Sequence, residues 1–410
     1  MTLLRENNFR KFWVGQTISL FGDQITFIAL PLTGVLVLDA NAAEMGYLGA
    51  AALLPHLFFS LPAGVWLERV ARRREVMILA DVGRAGLLAS IPLAYAFDSL
   101  TFTQLYVVAF GTGTLAVLFD ISYSTLYVAI IERKRYIEAN SLLHGSRSFS
   151  YIAGPSVGGA LVQLLSAPAA LVADALSFVA SALFLGRLEA PEPPLEPRTT
   201  RARDEVKEGL GFLFRNSILR PALIGTATLN FFNYAFWALF LLYATNELGI
   251  KAGTLGLVLG VGAFGGLTGA VVAGRLGRRI GLGPAYILGM VLFPLPLLLV
   301  PAAEGSQPRV LAMLFLAEFL SGLGVMILDI NASAFMTALT PDRLRSRTTG
   351  AFNFVNWGIR PLGSLLGGAL GSALGLRPAL WLSSIAALAG VLWLLPSPIP
   401  ALRDLPEEAA

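Results

Sequence analysis

Twelve apolar stretches follow one another along the chain. They lie near 12–38, 46–67, 76–97, 103–130, 148–166 and 168–188, then, after a polar break, near 221–246, 253–274, 284–302, 309–339, 350–374 and 377–396. Each has about the 20 residues that a helix needs to cross a roughly 30 Å hydrocarbon layer. Few folds accept such a pattern. A water-soluble domain carries about 25% charged residues, whereas this chain of 410 residues carries 14%, is 55% hydrophobic and has a mean hydropathy of +0.69. A globule of this size cannot hide that much apolar surface, so the matching solvent is lipid. No segment alternates polar and apolar residues for long, which argues against a lipid-facing β-barrel. The expected fold is an all-α integral membrane protein with twelve transmembrane helices.

The cations orient those spans. Of the 30 Lys and Arg, only Lys251, Arg309 and Arg377 fall at helix ends joined by outer turns. The others lie in or beside the N-terminus, the opposite set of loops, the centre and the tail. Cytoplasmic loops collect Lys and Arg, so both termini are expected in the cytoplasm and the protein in the cytoplasmic (inner) membrane. The same distribution explains a net charge of +4 without nucleic acid as a partner, since the charges are scattered over short loops. The polar N-terminus runs into the first span without a small-residue cleavage site and reads as a retained span. There is no cysteine, so disulfides, thiolate metal sites and a cysteine nucleophile are excluded.

The sequence also repeats. Arg69, Arg72 and Arg73 recur as Arg275, Arg278 and Arg279 at an offset of 206, and Asp120-Ile121 recurs as Asp329-Ile330 at an offset of 209. Gly158-Gly159-Ala160-Leu161 recurs at that second offset as Gly367-Gly368-Ala369-Leu370. Two homologous apolar halves imply two pseudo-symmetric six-helix bundles with a site between them. The expected boundaries are 1–188, a linker at 189–220, and 221–410. Within the linker, Val206, Leu210, Leu213 and Phe214 recur at helical spacing opposite Asp204, Glu205, Lys207 and Glu208. That pattern is a short amphipathic helix, expected at the cytoplasmic interface.

Several motifs sharpen this picture. After the second span stands Gly64-Val-Trp-Leu-Glu68-Arg69-Val-Ala71-Arg72-Arg73. It resembles the loop motif G-x-x-x-D-R-x-G-R-R of the major facilitator superfamily, with Glu68 in place of Asp and Ala71 in place of Gly. The second-half copy keeps the arginines but has Gly274 near the acid's position. In the fifth span, Ser150-x-x-x-Gly154-Pro155-x-x-Gly158-Gly159 resembles the superfamily's antiporter-helix motif, with Ser replacing its first Gly. The opening, from Asn8-Phe-Arg10-Lys-Phe-Trp13 through Ser19-x-x-Gly22-Asp23 to Ala29-Leu-Pro31, resembles one branch. Asp81-x-x-Arg84 and Glu205-x-x-x-Gly209-x-x-Phe212 do so as well. That branch is the drug:proton antiporters that include macrolide efflux pumps and the enterobactin exporter. The resemblance implies the major facilitator fold and alternating-access efflux of lipophilic or cationic small molecules with proton antiport. Siderophore export or lipid transport is the alternative.

Glu68 and Arg72, four residues apart, share a helix face. Asp120 lies about 25 Å into the fourth span, near its cytoplasmic end. A cluster of Glu68, Arg72 and Asp120 is therefore expected, and the resemblance implies that it acts as a cytoplasmic gate. Gly64, Arg69, Arg73, Asp81 and Arg84 are placed with it, and Arg278 with Asp329 as the second-half counterpart. In the fifth span, Gly154, Gly158 and Gly159 let backbones approach, and Pro155 removes a backbone hydrogen bond. Pro361 does the same in span eleven. Arg147 and Arg360 head these two helices, and Arg360 needs an acidic or carbonyl partner that the sequence does not name.

A charge at the bilayer centre costs about 2.5–3.5 kcal/mol on the insertion scale, so each one needs a reason. Asp23 lies about 16 Å into the first span, near the midplane, and is the expected proton-carrying acid. Its counterpart at an offset of 207 is Asn230, with Asn233 and Tyr234 a turn further on. The resemblance places the first and seventh spans along the cavity, so Asp23 is expected to face Asn230. Glu318, about nine residues into the tenth span, is the second candidate acid, and Asp174 reads as structural. Phe27, Phe231, Phe232, Phe236 and Trp237 are candidates for an aromatic wall. Span four carries no arginine before Arg133, a departure from many proton-driven drug antiporters. His56 and His144 are the only histidines, and no H-E-x-x-H, G-x-S-x-G or G-x-x-x-x-G-K-[ST] occurs, so neither enzyme nor ATPase chemistry is indicated. A monomer without cofactor or metal, surrounded by membrane lipid and exchanging protons for a small-molecule substrate, is expected.

Overall fold

In lipid a backbone amide finds no water, so a lone crossing segment must satisfy its own N–H and C=O groups, and a helix does this. The computed structural model describes residues 3–67, 72–189 and 202–404, which contain helices and no strand. The first half holds α1 (Asn7–Val37), α2 (Ala42–Leu67), α3 (Arg73–Ala96), α4 (Phe102–Ile130), α5 (Tyr136–Leu164) and α6 (Ala167–Gly186). Then come α7 (Ala202–Arg215), α8 (Leu219–Asn246), α9 (Ala252–Ile280), α10 (Leu282–Leu292), α11 (Gln307–Leu339), α12 (Asp342–Gly358), α13 (Arg360–Leu374) and α14 (Leu376–Leu388).

Nine helical segments among the described residues are long and apolar enough to cross a membrane. The remaining three expected spans are α2, α5 and the α12–α13 pair, so the twelve-helix fold stands. Several helices are longer than the apolar stretches that announced them. α5 begins at Tyr136 rather than near 148, α12 at Asp342 rather than near 350, and α9 runs on to Ile280. Apolar length measures the hydrocarbon crossing, while a helix continues for as long as its amides are paired. Large apolar side chains stand open on the surface, Leu79 at 69% and Leu392 at 64%, as lipid-facing positions require.

Local chemistry sets the ends. Asn41 and Glu44 cap α2 reciprocally: Asn41 Oδ1 accepts from Glu44 N at 3.0 Å and Glu44 Oε2 from Asn41 N at 2.8 Å. Asn216 Oδ1 accepts from Ile218 N and Leu219 N, both at 2.9 Å, at the start of α8. Gly281, at φ 94°, turns α9 into α10 within one residue. Pro294 and Pro296 have no N–H to donate, and α10 stops ahead of them and passes into a 3-10 turn at Leu295–Leu299. Span eleven breaks at Ile359, just before Arg360-Pro361.

The helices form two compact units. The first contains Met1–Ala40, Ala51–Thr199 and Ile250–Gly260, and the second contains Asn41–Ala50, Thr200–Gly249 and Val261–Ala410. In the first, α1 packs on α5 and α6, and α3 on α4 and α6. Its core includes Phe12, Met77, Phe119, Leu126 and Leu185. This unit also holds the first turns of α9 against α5: Ser156 Oγ donates to Gly256 O at 3.3 Å and Gly253 N to Gln163 Oε1 at 3.0 Å. In the second unit, α8 packs on α13 and α14, and α10 on α11. Its core includes Leu219, Leu223, Tyr286, Met290 and Phe335. The first turns of α2 pack there against α13, where Ser364 Oγ donates to Gly46 O at 3.1 Å.

The amphipathic pattern of the linker is the helix α7, but its apolar side meets protein rather than a lipid interface. Leu213 is fully buried in the core of the second unit, Gly209 sits against the Arg347 carbonyl of α12, and Glu208 pairs with Arg347.

Candidate functional site

Within the first unit, four helices enclose a cavity of about 180 Å³. α1 contributes Gln16, Ser19, Leu20 and Asp23, α4 contributes Phe119, Asp120, Tyr123 and Tyr127, and α5 contributes Asn140, Leu143, His144 and Arg147, with Arg84 from α3. On α1 and α5 the lining residues fall at i, i+3, i+4 and i+7, so each helix presents one face to the space. Asp23 therefore lies on the wall of a polar cavity in mid-helix, and Asp120 opens onto the same space.

The charges are layered. On the wall, Asp23 and Asp120 share the space with Arg84 and Arg147. Behind it, Arg84 Nη2 donates to Asp81 Oδ1 at 2.5 Å, and both residues are almost fully buried. The Arg84 guanidinium lies between two rings, 4.6 Å from the centroid of Phe119 and 4.2 Å from that of Phe178. Both cation–π contacts compensate its burial. Asp174 on α6 is also fully buried; Ser177 Oγ donates to its Oδ1 at 2.8 Å and Thr26 Oγ1 to its Oδ2. Gly22 makes this approach of α1 to α6 possible, because a methyl there would lie 2.1 Å from both Asp174 Oδ1 and Ser177 Oγ. Asp174 is thus a hydrogen-bonded acid backing the residue next to Asp23.

The fifth-span glycines position the same wall. A methyl at Gly154 would lie 2.5 Å from Gln24 Cβ, and one at Gly158 3.0 Å from Ile25 Cα, so both hold α5 against the part of α1 that carries Asp23. Gly159 turns the other way, onto Ala252 and Gly256 of α9, where the Pro155 carbonyl also packs.

The gate expected from the loop motif is not assembled as anticipated. Glu68 and Arg69 lie outside the described residues, and Gly64 falls in the last turns of α2. Arg72 turns to Glu75 at 3.2 Å, an exposed pair, rather than to Asp120. The reason is length: α4 continues ten residues beyond Asp120, about 15 Å, so this acid is well inside the helix and not at its end. Asp81 and Arg84, placed with the gate from sequence, are buried beside the cavity instead, while Arg73 is buried at the start of α3.

In the second unit the expected pair of Arg278 and Asp329 gives way to another. Arg278 is exposed in the last turn of α9, and the cation acting on Asp329 is Arg360. Arg360 Nη1 donates to the Tyr234 hydroxyl at 3.1 Å, and its guanidinium lies 4.2 Å from the centroid of the Trp357 ring and 5.0 Å from that of Tyr234. A phenol and two aromatic faces thus supply what the sequence left as an acid or a carbonyl. Asn230 Nδ2 donates to Asn356 Oδ1 at 3.1 Å and Asn233 is buried. Trp237 packs into Phe240 at 5.1 Å. Gly363, two residues beyond Pro361, brings α13 onto the backbone of Phe231. Glu318, on α11, is buried beside Gly262 of α9. Phe27 is 52% exposed and does not line the first-unit cavity.

Sequence reasoning missed the lining roles of Gln16, Ser19, Tyr123, Tyr127, Asn140 and His144. Their helical spacing around Asp23, Asp120 and Arg147 was the signal that could have found them.

A family model described as transmembrane secretion effector matches residues 1–409. The chain is similar to the multidrug efflux pump Tap of Mycolicibacterium fortuitum, 29% identical over 409 residues that cover 94% of this chain and 93% of the relative. It is also similar to Tap of Mycobacterium tuberculosis (strain ATCC 25618 / H37Rv), 25% identical over 413 residues covering 94% and 91%. In fold it matches a bacterial homologue of the iron transporter ferroportin in an inward-facing state, with a TM-score of 0.74, 17% identity and coverage of 97% and 99%. The nucleoside transporter NupG matches with a TM-score of 0.72, 12% identity and coverage of 95% and 99%. Apolar helices in two related halves, a polar cavity walled by one of them and a family match along almost the whole chain lead to one conclusion: this protein belongs to the transmembrane secretion effector family of the major facilitator superfamily, a family of multi-pass membrane transporters.

Proposed function

We propose that the protein exports lipophilic or cationic small molecules across the cytoplasmic membrane by alternating access, in exchange for protons, with Asp23 as the acid that carries the proton. One observation carries this reading. Around the first-unit cavity stand four carboxyls, Asp23, Asp81, Asp120 and Asp174, against two guanidiniums, Arg84 and Arg147. In a low-dielectric setting such an excess is costly unless protons or a bound cation balance it. Asp81 is committed to Arg84 and Asp174 to two hydroxyls, which leaves Asp23 and Asp120 on the wall, open to whatever enters.

Tyr123 and Tyr127 line the same space with rings stacked at 6.4 Å, and Phe12 stacks on Tyr123 at 5.3 Å. Aromatic faces beside carboxylates suit an organic cation with an apolar body. A proton returning down the membrane potential releases about 2.3 kcal/mol per 100 mV, which is the drive for export. The naming of similar chains as multidrug efflux pumps supports the direction and the class of cargo. The distribution of Lys and Arg supports cytoplasmic termini.

The test is reconstitution in liposomes with an imposed pH gradient, screening cationic dyes, macrolides and siderophores as cargo. The expected outcome is pH-driven movement of dyes or macrolides that falls to the level of empty liposomes in Asp23→Asn. Unimpaired pH-driven transport in that variant would remove Asp23 from the role, and movement of siderophores alone would redirect the cargo assignment.

A further inference from the structure

The second unit contains an acid that the reading above does not use. Glu318 stands alone in the middle of α11: its nearest charged neighbours along that helix are Arg309, nine residues earlier, and Asp329, eleven residues later. It is 5% exposed, and its Oε1 has no hydrogen-bond partner. On α9 it meets Gly262, where a methyl would lie 3.0 Å from Glu318 Oε2. The first cation of α9 beyond that point is Arg275, thirteen residues or about 20 Å further along. α10 and the 3-10 turn at Leu295–Leu299 carry no Asp, Glu, Lys, Arg or His, and the only phenol there is Tyr286. α8 carries one cation, Arg220, at its start, and the charges of α12, Asp342, Arg343, Arg345 and Arg347, lie in its first turns beyond the far end of α11. No charged group among the described residues acts on Glu318.

The surroundings leave little space. A methyl at Gly322 would lie 1.9 Å from Gly262 O, and one at Gly265 would lie 2.0 Å from Phe319 O, so the backbones of α9 and α11 touch on both sides of the carboxyl. A cargo molecule or a hydrated metal ion does not fit there. A proton does. A purely structural glutamate would be held by hydrogen bonds, and this one leaves a buried oxygen without any.

We propose that Glu318 is a second proton-binding site, separate from the Asp23 cavity, and that each transport cycle moves its proton in addition to the one carried by Asp23. The proposal rests on the proton-antiport reading, and it fixes the proton number that this reading leaves open. Two protons per cargo molecule sustain a steeper gradient than one, by about tenfold for each unit of pH difference.

Two measurements on the full-length protein in lipid test it. In infrared difference spectra recorded across a pH titration, a carbonyl band of a protonated carboxyl should be lost in Glu318→Gln and retained in Asp23→Asn. In liposomes, the cargo gradient sustained by one unit of pH difference should fall about tenfold in Glu318→Gln, and Glu318→Asp should restore it. An unchanged band and an unchanged gradient in Glu318→Gln would overturn the proposal. So would a loss that Glu318→Asp fails to restore while the variant keeps the wild-type melting temperature. If the wild-type protein showed no pH-driven gradient but kept the Glu318 band, the antiport reading would fail and the proton site would stand.

Discussion

Asp120 and Asp329 occupy equivalent places in the two halves of the sequence, yet their surroundings have diverged. Asp120 opens onto a cavity shared with Asp23, Arg84 and Arg147, and a second, buried ion pair stands behind it. Asp329 senses a single cation, Arg360, which is occupied by the Tyr234 hydroxyl and two aromatic faces. Arg84 is held by a carboxylate and two rings, whereas Arg360 is held by a phenol hydroxyl and two rings. A repeated sequence therefore fixes where the chain can place charge, while the neighbouring helices decide what that charge does. The first unit gathers two wall carboxyls around one cavity, whereas in the second Asp329 and Glu318 lie eleven residues apart along α11.

The contrast can be broken most strongly at Asp23. If Asp23→Asn transported normally while an Asp329→Asn variant did not, the assignment of roles to the two units would have to be exchanged. The next largest effect concerns the buried pairs. Asp81→Asn leaves Arg84 buried without its carboxylate, and such a loss costs about 3–5 kcal/mol. Tyr234→Phe removes only a hydroxyl from Arg360, whose aromatic contacts persist, and should cost about 1 kcal/mol. Thermal unfolding in lipid or detergent should rank the two in that order; a reversed order would mean that the second unit depends on its cation more than the first.

An effect smaller than that of Asp81→Asn is expected at Gly22. The methyl of Gly22→Ala collides with Asp174 and Ser177, and overpacking of this kind costs about 1–3 kcal/mol. Gly274→Ala, inside α9, meets only the far end of Arg278 at 3.8 Å and, by replacing a helical glycine, should stabilise by about 0.5–1 kcal/mol and raise the melting temperature.

The smallest effects sharpen a likeness between the halves. Each half ties the start of its fifth spanning helix to the element that precedes its first. Arg135 pairs with Glu6, and Glu138 Oε1 accepts from Leu3 N at 3.2 Å; Arg347 pairs with Glu208. Exposed pairs of this sort contribute about 0.2–1 kcal/mol. The Leu3 N–H, followed by Arg135, holds the Glu138 carboxyl below its usual range. A lowered value means that this tether is present above the ordinary carboxylate range and is lost as pH falls through the lowered one. The protection of the Leu3 amide, its exchange rate relative to the intrinsic rate at the same pH, should therefore fall on acidification and stay constant with pH in Glu138→Gln.

The spans, the doubling and the place of Asp23 in the middle of α1 could be read from sequence because hydrocarbon thickness and the cost of buried charge act on the chain directly. The partners of the arginines could not. Arg72 pairs with Glu75, three residues further along, a partner that the motif spacing did not name. Arg360 found rings rather than an acid, an outcome decided by how α12 and α13 break at Ile359 and not by any spacing along the chain. Phe119 and Phe178, which hold Arg84, lie on different helices, and no sequence period links them.

That clamp on Arg84 has a further consequence. A guanidinium held between two rings and a carboxylate cannot swing, so the positive end of this site behaves as a fixed electrode. Under the proton exchange proposed above, the charges free to move at this site are the protons on the surrounding acids and a cationic cargo, while the Arg84 charge stays in place.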